Sequence, residues 1–264
     1  MRALRIFLLH CQRIFEYRLK SFIWFLAPLM NSIFLIVFWR AALNGKSTVT
    51  GWTMSDMTAY YLLLAVASTF LNSHVEDGVA DEDIRQGDLA RFLLKPISYY
   101  WIKFCEETPY RLLQCVYGII FVLISTLVWG NFLKFSLSIE NTILFIMIVV
   151  LAYFISFTYK LSLGLTAFWF KDAKGLHSAL DVVALIFGGA ILPIQLFPDY
   201  LQKIAYLTPF PYIIYYPITA FQNKYSINIL FQIIGFQFFW LSIMLIFNRV
   251  LWNKGIKIFT AAGR

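Results

Sequence analysis

Charge is what this sequence has least of. Asp, Glu, Lys and Arg make up only 14% of its 264 residues, where a soluble domain carries roughly a quarter. Cysteine is scarce too, at three. Cys11, Cys105 and Cys115 are odd in number and lack metal-ligand spacing, so they read as reduced packing residues rather than a disulfide framework. His10, His74 and His177 are scattered and suggest no metal site. There is no GxxxxGK[ST] loop to cradle nucleotide phosphates, and no HExxH or GxSxG. The chain is therefore not expected to be an enzyme or to bind a cofactor of its own. No internal repeat, low-complexity tract or series of ten-residue alternating segments is present, which argues against a β-barrel.

What is abundant is large apolar surface. The chain holds 27 Phe, 15 Tyr and 8 Trp, and 60% of it is hydrophobic, with a mean hydropathy of +0.71. Apolar runs at 21–43, 57–75, 112–129, 141–159, 179–197 and 228–250 approach the roughly 20 residues a helix needs to cross the hydrocarbon layer. The first run reads as a span rather than a cleavable leader, because it is too long and no small-x-small site follows it. The expected fold is all-α and integral to the membrane: six transmembrane helices in one domain over 1–264, with the lipid bilayer as surroundings.

The net charge of +8 sets orientation and implies no nucleic-acid partner. With both termini cytoplasmic, sixteen Lys and Arg fall inside. Five (Arg40, Lys46, Lys134, Lys203, Lys224) fall outside, and Lys160 lies at a boundary. This is the bias that the positive-inside rule requires. Residues 1–20 read as a cytoplasmic interfacial helix. Leu4, Phe7, Leu8, Cys11, Ile14 and Phe15 recur at helical spacing, opposite Arg5, Gln12, Arg13 and Glu16. Segment 193–227 holds five of the eight prolines among aromatics. It is too broken to span and too apolar for a solvated loop, so short re-entrant helices are expected between spans five and six.

Ionisable groups inside spans are the mark of ion-coupled carriers, and here few qualify. Asn31, Lys160 and Asp181 are the candidate buried polar groups, with Lys160 placed to snorkel or to pair with Asp181. The most informative stretch is the expected cytoplasmic loop 76–111. Asp81, Glu82 and Asp83 suit a helix N-terminus and Pro96 ends the pattern. Between them Leu89, Phe92 and Leu93 make an apolar face opposite Arg85, Asp88 and Arg91. Six acidic residues between Glu76 and Leu89 disfavour an anionic leaflet as the surface it meets, so the face suits a groove on a soluble protein.

At this loop the sequence resembles the permeases of type-2 ABC exporters, a bacterial six-span family. Glu82 through Pro96 is similar to the family's Arg-x-Gly-x-Leu…Pro pattern. Further resemblance lies in Gly51–Met57, in Ala167–Leu176, in Pro209–Tyr212 through Tyr216–Pro217, and in Trp252–Gly255. The resemblance implies a permease in the bacterial inner membrane that forms a substrate path with a second permease, identical or paralogous. It implies two copies of an ABC ATPase as partners, with ATP and Mg bound there. Ile84, Arg85, Gly87, Asp88, Leu89, Arg91, Phe92, Leu93, Lys95 and Pro96 would couple to the ATPase. Phe168, Lys171, Asp172, Lys174 and Gly175 would make a second contact. The competing readings are a membrane scaffold without transport activity and an ion-coupled secondary transporter.

Overall fold

The computed structural model describes residues 2–16, 18–43, 48–49, 51–129, 139–170 and 172–260. It is a helical bundle. The amphipathic helix α1 (Arg2–Glu16) is followed by α2 (Arg18–Leu43). A two-residue hairpin, β1 (Thr48–Val49) with β2 (Trp52–Thr53), leads into α3 (Met54–Leu71). Thr53 and Asp56 form a capping box at the start of α3: the Asp56 amide donates to Thr53 Oγ1 at 3.2 Å and the Thr53 amide to Asp56 Oδ2 at 3.0 Å. That exchange satisfies two amides with no partner inside the helix.

After α3 come α4 (Val75–Asp77), a π-helical segment Gly78–Arg85, and α5 (Leu89–Leu93). The long helices α6 (Tyr99–Trp129) and α7 (Ile139–Leu165) follow. Next are α8 (Lys174–Phe187), α9 (Asp199–Tyr206), α10 (Tyr215–Phe221) and α11 (Ile227–Gly255). Among the described residues, five helical stretches are long and apolar enough to cross a membrane: Arg18–Leu43, Met54–Arg85, Tyr99–Leu127, Glu140–Phe168 and Ile227–Gly255. The second and fourth are the most enclosed, whereas α2 and α11 turn most of their apolar surface outward. Helix α7 packs along α11, and α3 lies between α2 and α6.

The run at 179–197 does not form one spanning helix. It is interrupted after α8, whose 14 residues rise about 21 Å against a hydrocarbon layer of about 30 Å. The stop is a Schellman motif: the Ala190 amide reaches the Leu185 carbonyl at 3.1 Å, and the Gly189 amide reaches Ile186 at 3.2 Å. Gly189 takes the left-handed conformation this motif needs, at φ +79°. Beyond it the backbone is irregular, and α3 supplies hydrogen bonds to it. Tyr60 Oη donates to the Gly189 carbonyl at 2.7 Å and Tyr61 Oη to that of Ile191 at 2.9 Å. Such donors make non-helical backbone tolerable in a dry interior. The short pieces predicted for 193–227 are seen as α9, α10 and the 3₁₀ turns Ile194–Leu196 and Phe210–Tyr212.

Two further expectations are corrected. The third spanning helix starts at Tyr99, well before residue 112, because Lys103, Glu106, Glu107 and Arg111 pair with neighbours and do not need water to end the helix. Asn31 is exposed rather than buried. Helix α2 turns Phe25 and Ser32 inward and leaves Asn31 on its uncovered side.

Candidate functional site

The candidate site is the end of the bundle where α6 begins and where α7 and α11 finish. There three of the stretches with family resemblance, Glu82–Pro96, Ala167–Leu176 and Trp252–Gly255, meet in one buried core, which includes Val79, Leu89, Phe92, Tyr99, Leu165 and Ala173, with Phe168 and Trp252 against it. Tyr99 stacks on Trp252 with ring centroids 4.8 Å apart. Phe168 lies so close over Gly255 that no Cβ would fit there.

Within this frame the segment 75–93 is held by buried ion pairs. Asp83 is fully buried, receives the Tyr99 hydroxyl and lies 2.6 Å from Lys103 Nζ, which also meets Glu106 at 3.0 Å. Glu76, also buried, meets Lys160 Nζ at 2.6 Å, and that amine also meets Asp181 at 2.7 Å. Gly164 permits this approach, since a Cβ there would lie 2.8 Å from Val79 and 3.0 Å from the Glu76 carbonyl. A charge left buried without its partner is costly, so these pairs fix the segment to α6, α7 and α8.

The acidic triplet sits inside the π-helical turn instead of at a helix start. The Gln86 amide bonds five residues back to Asp81 at 3.2 Å, and Gly87 at φ +87° then turns the chain into α5. π-Helical backbone is rare and is frequently found at functional positions. The apolar face predicted for partner binding is divided. Leu89 and Phe92 are buried in the chain's own core, where the Arg91, Lys95 and Lys103 cations lie 4.6–4.9 Å from the Phe92 ring centroid. Leu93 and Leu94 are exposed, Leu94 at 88%, beside Arg91, Lys95 and Pro96. Ile84 is buried and Arg85 pairs with Asp81 at 2.6 Å. Asp88 pairs with Arg91 at 3.1 Å.

Lys174 Nζ lies 3.0 Å from Asp81 Oδ2, so the second expected contact region touches the π-helical segment that leads into 84–96. The hydrogen bond and charge of Asp81 raise the Lys174 pKa. Asp172 Oδ1 accepts from the Lys174 amide at 3.1 Å, and Gly175 faces open space. Lys171 lies outside the described residues. Of the candidate buried groups, Lys160 is buried and pairs with Asp181, whose own side chain is 42% exposed.

Several residues were missed by sequence reasoning: Glu76, Asp83, Lys103, Glu107, Arg111 and His74. Glu107 meets Arg111 at 2.6 Å and accepts from the His74 amide at 3.1 Å, while Arg111 donates to His74 Nδ1 at 2.8 Å. The i,i+3 spacing of Lys103 and Glu106 and the i,i+4 spacing of Glu107 and Arg111 were available signals of a helix through 99–111.

At the opposite end of the bundle, Trp52 is buried. Its Nε1 donates to Gln195 Oε1 at 2.9 Å, and Lys224 Nζ lies 3.0 Å from its ring centroid. Burial lowers the Lys224 pKa from 10.5 to about 8, partly opposed by the Asp56 carboxylate.

Fold and site together define a multi-pass, all-helical membrane protein with a braced segment at one end. A family model described as ABC-2 family transporter protein matches residues 29–263. No curated protein matches. The chain belongs to the ABC-2 transporter family, whose members are membrane components of ABC transporters.

Proposed function

We propose that this chain is the permease subunit of an ATP-driven exporter. It is coupled through 84–96 to a separate ABC ATPase present in two copies, which binds ATP and Mg. The carrying observation is the exposed Leu93–Leu94 pair beside Arg91 and Lys95, mounted on a segment that ion pairs tie to α6, α7 and, through Lys160, α8. A rigid lever with an apolar tip passes a partner's movement to α6 and α7 instead of absorbing it. For ATP to drive this, nucleotide must favour one of two conformations over the other. Phe168, Lys171, Asp172, Lys174 and Gly175 form the second contact.

In this reading the lever and both termini are cytoplasmic in the bacterial inner membrane, and the pieces between α8 and α11 re-enter from outside. The outward faces of α2 and its neighbours form the substrate path with a second permease, identical or paralogous. Lys160 and its two carboxylates lock the lever rather than carry ions, because each charge has a partner at hydrogen-bond distance.

The test is co-purification with the ATPase from the native host in mild detergent. Leu93→Asp/Leu94→Asp should lose the ATPase while remaining monodisperse, since both side chains are exposed. Full ATPase recovery with intact transport in that variant would reject the coupling assignment. Recovery of no ATPase with the unaltered chain, even after crosslinking, would favour the scaffold.

A further inference from the structure

Between α1, the start of α2, and α6 lies a cavity of about 590 Å³. Its charged groups are not balanced. Arg111 is closed by Glu107 at 2.6 Å, and Glu106 is met by Lys103 at 3.0 Å. Arg13 of α1 and Lys20 of α2 line the same cavity, are exposed, and have no ion-pair partner among the described residues.

His74 adds a donor of fixed position. Arginine has no lone pair to offer, so the Arg111–His74 hydrogen bond requires His74 Nδ1 to accept. Neutral His74 therefore carries its proton on Nε2. That N–H has no partner among the described residues, and the ring is open to the cavity. Two cations and one oriented N–H thus line a space whose other walls include the apolar Ile14 and Trp24.

We infer that this cavity binds the phosphate-bearing head of an anionic phospholipid, with the Arg13 and Lys20 charges on the phosphate and the acyl chains leaving past Trp24. Cationic groups recognise phosphate by charge-assisted hydrogen bonds. The mixed lining suits a phosphate joined to hydrocarbon better than a free ion. Helix α1 sets the depth: Leu4, Leu8, Leu9 and Phe15 are all more than half exposed, and such a face sinks to the acyl boundary and leaves the cavity mouth at headgroup level. The inference rests on the reading of α1 as an interfacial helix.

The experiment is native mass spectrometry of the full chain in detergent, titrated with phosphatidylglycerol, phosphatidylcholine or inorganic phosphate. The variants are Arg13→Gln/Lys20→Gln and, as a control for charge alone, Arg249→Gln on exposed α11 surface. A tenfold difference in affinity corresponds to about 1.4 kcal/mol, within reach of one charge-assisted contact. Phosphatidylglycerol should outbind phosphatidylcholine by about tenfold. The preference should vanish in the double variant and persist in Arg249→Gln, with melting temperatures confirming that both variants fold. Equal binding of the two lipids, or an undiminished preference in the double variant, would overturn the site. Displacement of phosphatidylglycerol by an equal concentration of inorganic phosphate would overturn the lipid assignment. The readout requires no ATPase and no membrane sidedness, so it stands or falls separately from the exporter reading.

Discussion

Lys160 sits between Glu76 and Asp181 with its side chain almost fully buried, and that position makes its removal informative. Breaking a buried pair leaves an uncompensated charge and costs about 3–5 kcal/mol. Lys160→Met should therefore lower the denaturation midpoint sharply in detergent. Lys160→Met/Glu76→Gln should recover at least half the loss, because the stranded carboxylate is gone. If the double variant is no better than the single one, the pair is not what holds α4 to α7. Sequence spacing exposed the Lys160–Asp181 half of this cluster, since both residues interrupt apolar runs. Glu76 was hidden because it follows a run and reads as the start of a solvated loop. Lys224 gives a second residue-scale test, this time of pH. Folding lowers its pKa from 10.5 to about 8, so the folded state disfavours the charged amine. The penalty is complete below about pH 8 and disappears as pH rises through 10.5. The melting temperature of the unaltered chain relative to Lys224→Met should thus climb between pH 8 and 10.5. A flat difference across that window would mean that Lys224 titrates as a solvated lysine.

Helices end where backbone geometry forces them to, and hydropathy counts do not register that. The run through 179–197 is apolar throughout, yet Gly188–Gly189 closes α8 after Phe187. Residues 99–111 carry four charges with local or tertiary partners and remain helical. The spans with neither feature, α2, α7 and α11, were legible from composition alone. The proline-rich pieces after α8 were legible in kind, because proline fixes where a helix cannot continue. The contacts of Gly189 and Ile191 with Tyr60 and Tyr61 were not, since nothing local links residues 129 or 130 positions apart. Gly189→Ala tests the α8 stop. A Cβ there would lie 2.9 Å from Tyr60 Oη on a backbone at φ +79°. Left-handed strain alone is about 1–2 kcal/mol. Tyr60→Phe should cost about 1–3 kcal/mol by leaving the Gly189 carbonyl without its donor. The two changes share one contact, so the double variant should lose clearly less than the sum of the singles. Strict additivity in chemical denaturation would show that Tyr60 and Gly189 do not act on the same turn.

At the scale of the whole molecule, the two ends of the bundle differ in how they are built. The α5 end is braced by ion pairs with its apolar tip exposed. The opposite end is closed by aromatic packing around Tyr60, Trp52 and Tyr215. That division suits a protein driven from one side and open to lipid along its length. The α5 end should face the cytoplasm, because the lysine and arginine bias places it there. In a background with Cys11, Cys105 and Cys115 replaced by serine, cysteines are introduced singly at two exposed positions, Gln86→Cys and Leu207→Cys. A membrane-impermeant maleimide added to intact cells should label the second and spare the first, and disrupting the membrane should make both reactive. Labelling of position 86 alone in intact cells would invert the molecule. It would also remove the ATPase-coupling role from 84–96, since no ATP is available to a partner on the outer face.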